Sequence, residues 1–199
     1  MSAEKINHNK EKKQISYKNA WLKIYDQPIL YFPKFFHPDP TVKRQSGFLI
    51  PAFKDSTNFG TSLTIPYYKV IAENIDLTFK PRVYNSNDSI IQTEYRHVTK
   101  KSDHILDFSV GILDETRSHF FTNSLIDLDL DYFDASMLEV NLEQTSNNDY
   151  LKNYEIYSPL IANNNNLNSN IKFSAITPDL DFDVSMEVYE NLSKEDNSK

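Results

Sequence analysis

Apolar and polar residues alternate with a period of two through most of the chain beyond Phe59. Over 75–83, Ile75, Leu77, Phe79, Pro81 and Val83 interleave with Asp76, Thr78, Lys80 and Arg82. Over 104–112, Leu106, Phe108, Val110 and Ile112 interleave with Asp107, Ser109 and Gly111. The same rhythm runs through 126–132, 137–143 and 180–188, and weaker versions lie at 59–66, 90–98, 150–157 and 169–176. A period of two places successive side chains on opposite faces of a β-strand. The pattern therefore predicts about nine strands in hairpin succession and no amphipathic helix, whose apolar positions would recur every 3.6 residues or so.

Before Phe59 the pattern is shorter and more broken. Residues 1–13 are polar and basic and are expected to be disordered. Residues 14–32 hold short strands around Ile15-Ser16-Tyr17, Trp21 to Tyr25 and Ile29 to Phe32. Residues 33–58 contain Pro33, Pro38, Pro40 and Pro51, and proline cannot donate to a strand ladder, so this stretch reads as a junction loop. Residues 59–199 hold the long strands.

Alternation puts one face in an apolar medium and the other in a polar one. A soluble sandwich achieves that by burying one face under a second sheet. A transmembrane barrel achieves it with lipid outside and a polar lumen. Segment length, a densely charged polar face and the absence of crossovers favour the barrel, and a soluble all-β binding module for carbohydrate or lipid is the alternative. The fate of the apolar face separates the two.

Composition narrows the function. The net charge of -7 lacks the basic footprint that phosphate backbones require, which argues against nucleic acid. No cysteine is present, so disulfides and thiolate metal sites are excluded. Only 3 glycines occur against 12 tyrosines and 13 phenylalanines, which suits half-buried strands joined by Asn/Asp/Ser loops. Met1 to Lys13 has no apolar core, so no signal peptide is expected within this sequence.

Two stretches carry a more specific signal. Pro28-Ile29-Leu30-Tyr31-Phe32-Pro33 is followed by His37-Pro38-Asp39-Pro40-Thr41-Val42-Lys43-Arg44-Gln45-Ser46-Gly47-Phe48-Leu49-Ile50-Pro51. Thr64-Ile65-Pro66-Tyr67-Tyr68, Ile71-Ala72, Asn74, Asp76-Leu77-Thr78, Pro81 and Glu94-Tyr95-Arg96 come next. Together they resemble the LptD family of outer-membrane LPS-assembly proteins, at the junction between its periplasmic β-jellyroll and its barrel. The resemblance is strong over about residues 15–100 and continues beyond as strand rhythm, with Thr116-Arg117 and Asp149-Tyr150-Leu151.

The resemblance implies an all-β fragment: the C-terminal strands of a periplasmic jellyroll over 14–32, then the first strands of an incomplete outer-membrane barrel. It implies lipopolysaccharide as cargo, delivered by an LptA-type periplasmic bridge, and an LptE-type lipoprotein as barrel plug. Release into outer-membrane lipid would occur through a lateral opening, with no reaction catalysed and no cofactor. Pro66 and Pro81 would then weaken the strands beside that opening or, on the plain reading, Pro66 ends its strand before Tyr67-Tyr68 and Pro81 sits at a bulge. Trp21, Ile24, Ile29, Tyr31 and Phe32 would line the lipid path or, on the plain reading, a sandwich core. Lys43 and Arg44 would meet phosphorylated lipid or form an ordinary loop charge pair. Ser46, Gly47 and Phe48 form a junction turn in which Gly47 is expected to supply a backbone shape that other residues resist.

Other constellations carry less. His37 and Asp39 on a proline-locked loop do not complete a metal site. Asp127, Asp129 and Asp131 are expected to share one strand face as a solvated wall rather than chelate calcium. Asp107, His104 and Ser109 include the groups of a hydrolase, but no nucleophile elbow accompanies them.

Overall fold

A computed structural model describes residues 2–9, 14–24, 26–38, 44–56, 60–86 and 88–193, with positions 22, 24, 29, 30, 37, 38 and 56 described by backbone alone. The chain divides into two compact units, Met1–Gly47 and Phe48–Lys199. Both are antiparallel and almost entirely β, as the alternation requires.

The first unit is a three-stranded sheet in the order β1 (Ser2–Asn9), β2 (Gln14–Ile24), β3 (Gln27–Pro38). Two expectations change here. Residues 2–9, expected to be disordered, pair with β2 from Ser2 opposite Trp21 to Asn9 opposite Gln14. Strand pairing uses backbone groups, and an edge strand with mostly exposed side chains needs no apolar pattern to join a sheet. The strand ending before Pro33 instead runs on to Pro38. Prolines are tolerated because, among the described residues, β3 pairs on one side only. Pro33 stands where β2 carries Asn19 in a left-handed conformation (φ 49°), and neither residue has a partner in the register.

The second unit is an eleven-stranded sheet. It begins with β4 (Gly47–Phe48) and β5 (Ala52–Ser56), followed by β6 (Gly60–Thr64) and β7 (Tyr67–Ala72). Next come β8 (Ile75–Tyr84), β9 (Ser89–Val98), β10 (Ser102–Ile112), β11 (Arg117–Asp127) and β12 (Ala135–Thr145). A four-residue helix, α1 (Tyr150–Asn153), precedes β13 (Asn166–Ile176) and β14 (Asp181–Asn191). From β8 to β14 each strand pairs with the next in sequence, an uninterrupted meander. β6 and β7 form one row against β8, broken at Ile65-Pro66, with β5 pairing β6 on the other side. β14 and β5 end the main path of the sheet unpaired with each other.

Three segments depart from the pattern. The run 126–132 alternates perfectly, yet β11 ends at Asp127 and Asp129 takes a positive φ of 47° in the turn to β12. The aspartates 127, 129 and 131 are therefore not a wall on one strand. The first part of β11 escaped notice because Ser118, Thr122, Asn123 and Ser124 put polar groups on both faces. Residues 150–157, read as a weak strand, form α1 and the loop after it. Part of the expected junction loop is strand β5, which tolerates nearby Pro51 because it is an edge.

The registers fix the two faces of the large sheet. Asp107 faces Glu94 and Phe121, and Ser109 faces Gln92 and His119, so these side chains share a face with Asp76, Thr78, Lys80 and Arg82. The opposite face carries Leu77, Phe79, Val83, Ile91, Phe108, Val110 and Phe120, and continues through Ile171, Phe173, Val184 and Met186. Burial is inverted relative to a soluble protein. Asp107 is 0% exposed and His119 3%, whereas Val110 is 42% and Val188 59% exposed. The apolar face is not the inside of a sandwich.

Candidate functional site: the polar face and its folded-in loop

The polar face is held by charge and hydrogen bonds between neighbouring strands. Lys80 Nζ on β8 reaches Glu94 Oε2 on β9 at 3.0 Å, and Arg96 Nε donates to Glu94 Oε1 at 2.6 Å. Glu94 is nearly enclosed, so these bonds compensate a carboxylate removed from water. Further along, Gln92 Nε2 donates to both carboxylate oxygens of Asp107 at 3.0 and 2.9 Å. His119 Nε2 lies 3.4 Å from Asp107 Oδ1, and its Nδ1 lies 2.7 Å from Ser109 Oγ.

A lid of protein closes over this cluster: the long connection between β12 and β13. Its approach is built from local turns. Asn147 Oδ1 accepts from the Asp149 N–H at 2.9 Å, and Tyr150 N–H donates to the Asn147 carbonyl at 3.2 Å. α1 then presents Tyr150 and Tyr154, spaced one helical turn apart. The Tyr150 hydroxyl reaches Ser109 Oγ at 2.7 Å. Arg82 Nη1 donates to the Tyr154 carbonyl at 2.5 Å, and Gln92 Nε2 donates to the Tyr157 carbonyl at 2.9 Å. The Ser158 hydroxyl also bonds Asp107. Lys54 on β5 pairs with Glu155 at 2.7 Å and holds that carboxyl below its ordinary value.

Apolar packing seals the loop. Tyr150, Leu151 and Ile156 are fully buried and cluster with Ile90, Phe121, Leu167 and Leu192. Burial pushes the Tyr150 hydroxyl up to about 12. Connections this long in compact structures usually carry function or disorder, and this one is ordered on the face it covers.

The hydrolase constellation is rearranged. His104 points to the other face, where its Nδ1 lies 2.9 Å from Ser124 Oγ. His119 takes its place beside Asp107 and Ser109, but all three are enclosed beneath α1 and its flanks, and Ser109 is already engaged by Tyr150. Among the described residues no group of three His, Asp or Glu side chains is placed to hold a metal ion.

The residues singled out from the sequence are dispersed. Trp21 and Tyr31 face each other across β2 and β3 with ring centroids 4.8 Å apart, and the Tyr31 hydroxyl donates to Asn19 Oδ1 at 2.7 Å. Phe32 projects to the opposite face, opposite buried Ala20, and packs on Phe35 at 5.4 Å. The side chains of Ile24 and Ile29, and all of Lys43, lie outside the described residues, as does Asp39. Arg44 is exposed and Ser46 half-buried. Gly47 does not carry the expected special backbone: its φ is not in the left-handed region and open space surrounds it. Gly60 is the glycine that needs its freedom, with φ +73° and the Asn85 side chain where a Cβ would stand. Phe48 is exposed, its ring edge-on to Tyr67 at 5.0 Å.

Pro66 and Pro81 meet at one place. Pro66 lies in the break between β6 and β7, where its carbonyl accepts from the Leu49 N–H at 2.9 Å. Pro81 lies within β8, opposite Ile91 of β9, and its carbonyl accepts from the Ile65 N–H at 3.2 Å. In a strand the N and O of one residue point to the same side, so the donor missing from Pro81 faces the break and not β9. The strand rows containing the two prolines are preceded by β4 and β5, one row further out than the sequence suggested.

The alternation misread the loop residues as a weak strand, although Tyr150 and Tyr154 keep helical spacing inside an Asn-rich stretch. That i, i+4 aromatic pair, after the turn-forming Asn147-Asn148-Asp149, was the available signal.

Comparison with known proteins agrees with the motifs. Residues 15–101 match the family model described as LptD protein. The LPS-assembly protein LptD of Pseudoalteromonas translucida (strain TAC 125) is 37% identical over 103 residues, which cover 52% of this chain and 14% of the relative. That of Shewanella sp. (strain MR-4) is 40% identical over 98 residues, covering 49% and 13%. That of Legionella pneumophila (strain Lens) is 28% identical over 171 residues, covering 77% and 20%. The chain thus spans a fifth or less of the length of these relatives. Residues 15–101, from β2 through the Ile65-Pro66 break to the salt-bridged start of the polar face, belong to the LptD family.

Proposed function

We propose that the second unit forms the first strands of an outer-membrane β-barrel that takes part in lipopolysaccharide transport to the outer leaflet. The first unit contributes closing strands of the periplasmic jellyroll that feeds it. The observation that carries this reading is the inverted sheet, with Asp107, Glu94, Gln92 and His119 enclosed and Phe108, Val110, Val184 and Met186 exposed. In water such an apolar face would aggregate, whereas in lipid it is the favourable outer surface.

Topology supports the orientation. The connections 73–74, 99–101, 128–134 and 177–180 lie at the end of the sheet where β4 begins, whereas the opposite end carries the short connections 85–88 and 113–116 and the one long loop of the meander, 146–165. Outer-membrane barrels keep short turns on the periplasmic side and longer loops outside. The β12–β13 loop therefore belongs to the cell-surface end and fills part of the lumen.

In this reading lipopolysaccharide arrives from an LptA-type bridge and passes the jellyroll near Trp21 and Tyr31. Arg44, with Lys43, offers cationic contacts to its phosphates. An LptE-type lipoprotein occupies lumen outside the stretch filled by the loop. The prolines at the β6–β7 break leave a ladder short of donors near the opening edge. No covalent chemistry is needed, since the work is transfer of a lipid between environments.

The test uses the absence of cysteine. Single cysteines at Val110, Val184 and Glu187 carry a spin label in the chain refolded into outer-membrane lipid vesicles. Labels at positions 110 and 184 should collide with oxygen dissolved in the bilayer, and the label at 187 with a water-soluble relaxant. Equal access to the water-soluble relaxant at all three positions overturns the barrel reading.

A further inference from the structure

We infer a binding site for a neutral saccharide in the cavity between the folded-in loop and the ends of β12, β13 and β14. The cavity holds about 400 Å³, within the range of small-ligand sites and large enough for one or two sugar rings. Its wall is assembled from three separate stretches: the end of β12 with the turn to α1, the approach to β13, and the end of β14 with Leu192 and Ser193. Each stretch is fixed from behind, so the site is preformed. Leu151 and Leu192 are buried, Leu192 N–H donates to the Asn165 carbonyl at 2.8 Å, and Ser146 N–H donates to the Ser118 carbonyl at 2.9 Å.

The lining chemistry selects the ligand. Asn147, Asn148, Asn164 and Asn165 bring carboxamides, and Thr145 and Ser146 bring hydroxyls. Asn147 Oδ1 already accepts from the Asp149 N–H, and Asn164 Nδ2 donates to the Leu151 carbonyl. The Thr145 hydroxyl donates to the Asn147 carbonyl and Ser146 Oγ accepts from the Ser118 N–H, so a ligand is left chiefly Asn147 Nδ2, Asn164 Oδ1 and the Asn165 carboxamide. A carboxamide offers two donors and an acceptor on one plane, which matches the vicinal hydroxyls of a pyranose. Among the described lining residues Leu192 is the one aliphatic side chain, so an acyl chain finds little apolar surface. Charge disfavours phosphate, because among the described lining residues Lys152 is the one cation against Asp149 and Glu190. Without aromatic rings to stack on a sugar face, binding should be weak and carried by hydrogen bonds.

The inference adds to the transport reading: with the loop at the cell-surface end, the saccharide available there is the sugar portion of lipopolysaccharide. The site itself depends only on the cavity, so the two can fail separately.

The experiment titrates the full chain, in a detergent without a sugar headgroup, with glucose, with delipidated lipopolysaccharide oligosaccharide and with inorganic phosphate. Binding is read from the side-chain amide signals of asparagine in NMR spectra. Saturable shifts with glucose or the oligosaccharide, reduced at least fivefold in Asn165→Ala/Lys152→Ala and kept in the remote variant Asp179→Ala, support the site. Tighter binding of the oligosaccharide than of glucose assigns the source to lipopolysaccharide, and equal binding assigns it to free sugar. No saturable shift with either, unchanged binding in the double variant, or a preference for phosphate overturns the site. The spin-label result for the sheet stands or falls independently. Unchanged circular dichroism of the double variant shows that any loss belongs to the cavity and not to unfolding.

Discussion

The hydroxyl of Tyr150 lies 2.7 Å from Ser109 Oγ, across 41 residues of sequence, and this bond fastens the β12–β13 loop to the middle of the polar face. Ser109 passes the connection on to His119 at 2.7 Å, and His119 to Asp107. The loop that encloses these groups thereby also supplies them with partners, Tyr150 to Ser109 and Ser158 to Asp107, which offsets the cost of burying polar groups in a low-dielectric interior.

Removing that hydroxyl should loosen the loop without emptying its pocket. Tyr150→Phe is expected to cost about 1 kcal/mol, the net worth of one hydrogen bond. Tyr150→Ala, which also opens a cavity, should cost about 3–5 kcal/mol. Denaturant midpoints, with limited proteolysis between residues 146 and 165, measure both. Equal costs for the two variants would mean that the hydroxyl, not the ring, carries the docking.

Alkaline pH should release the loop by a route that can be assigned. Burial raises the Tyr150 hydroxyl from 10.0 to about 12, so the folded chain holds this proton more tightly than the unfolded chain. The contribution is complete below pH 10 and is lost as pH rises toward 12. Protease cleavage within the loop should increase across that window in the native chain. Tyr150→Phe, which has no proton to lose, should flatten the response.

Neighbouring positions on β14 should respond oppositely to charge. Val184 lies on the apolar face and Ser185 on the polar one, in register with Phe173 and Lys172. In lipid vesicles Val184→Arg should cost about 2–4 kcal/mol near the bilayer midplane. Ser185→Arg should change stability by less than about 0.5 kcal/mol. Matching urea midpoints for the two variants would remove lipid from the apolar side.

The two glycines near the start of the large sheet should separate in the same way. Gly60→Ala forces a Cβ onto the Asn85 side chain at a positive φ and should cost about 1–2 kcal/mol. Gly47→Ala meets open space and should be nearly neutral or slightly stabilising. Thermal unfolding of both variants gives the comparison.

The paired prolines bear on release. Replacing Pro66 and Pro81 by alanine in a complete LptD-family protein restores two donors at the β6–β7 break, each worth about 1 kcal/mol. Lipopolysaccharide arrival at the cell surface should slow while the amount of folded barrel is kept or rises. Undiminished arrival with normal folding would leave the prolines as strand punctuation.

The alternation by itself determined the strands from β8 to β10 and from β12 onward, and which side chains share a face, because a period of two admits one geometry. It also determined that one face must meet an apolar medium, and the Pro-rich motifs named the family. Alternation could not say which face is enclosed, since a sandwich and a barrel give the same string of residues. The tertiary structure decided that through the burial of Asp107 and Glu94 and the exposure of Val110 and Met186. It also decided where alternation misleads. Ile126 to Tyr132 alternates yet turns at Asp129, because a backbone at φ 47° breaks the ladder whatever the side chains do. Tyr150 to Tyr157 reads as a strand yet folds inward as α1 and its loop. Its partners Ser109, Arg82 and Gln92 lie 41, 72 and 65 residues away from the atoms they bond, a distance no local pattern reports.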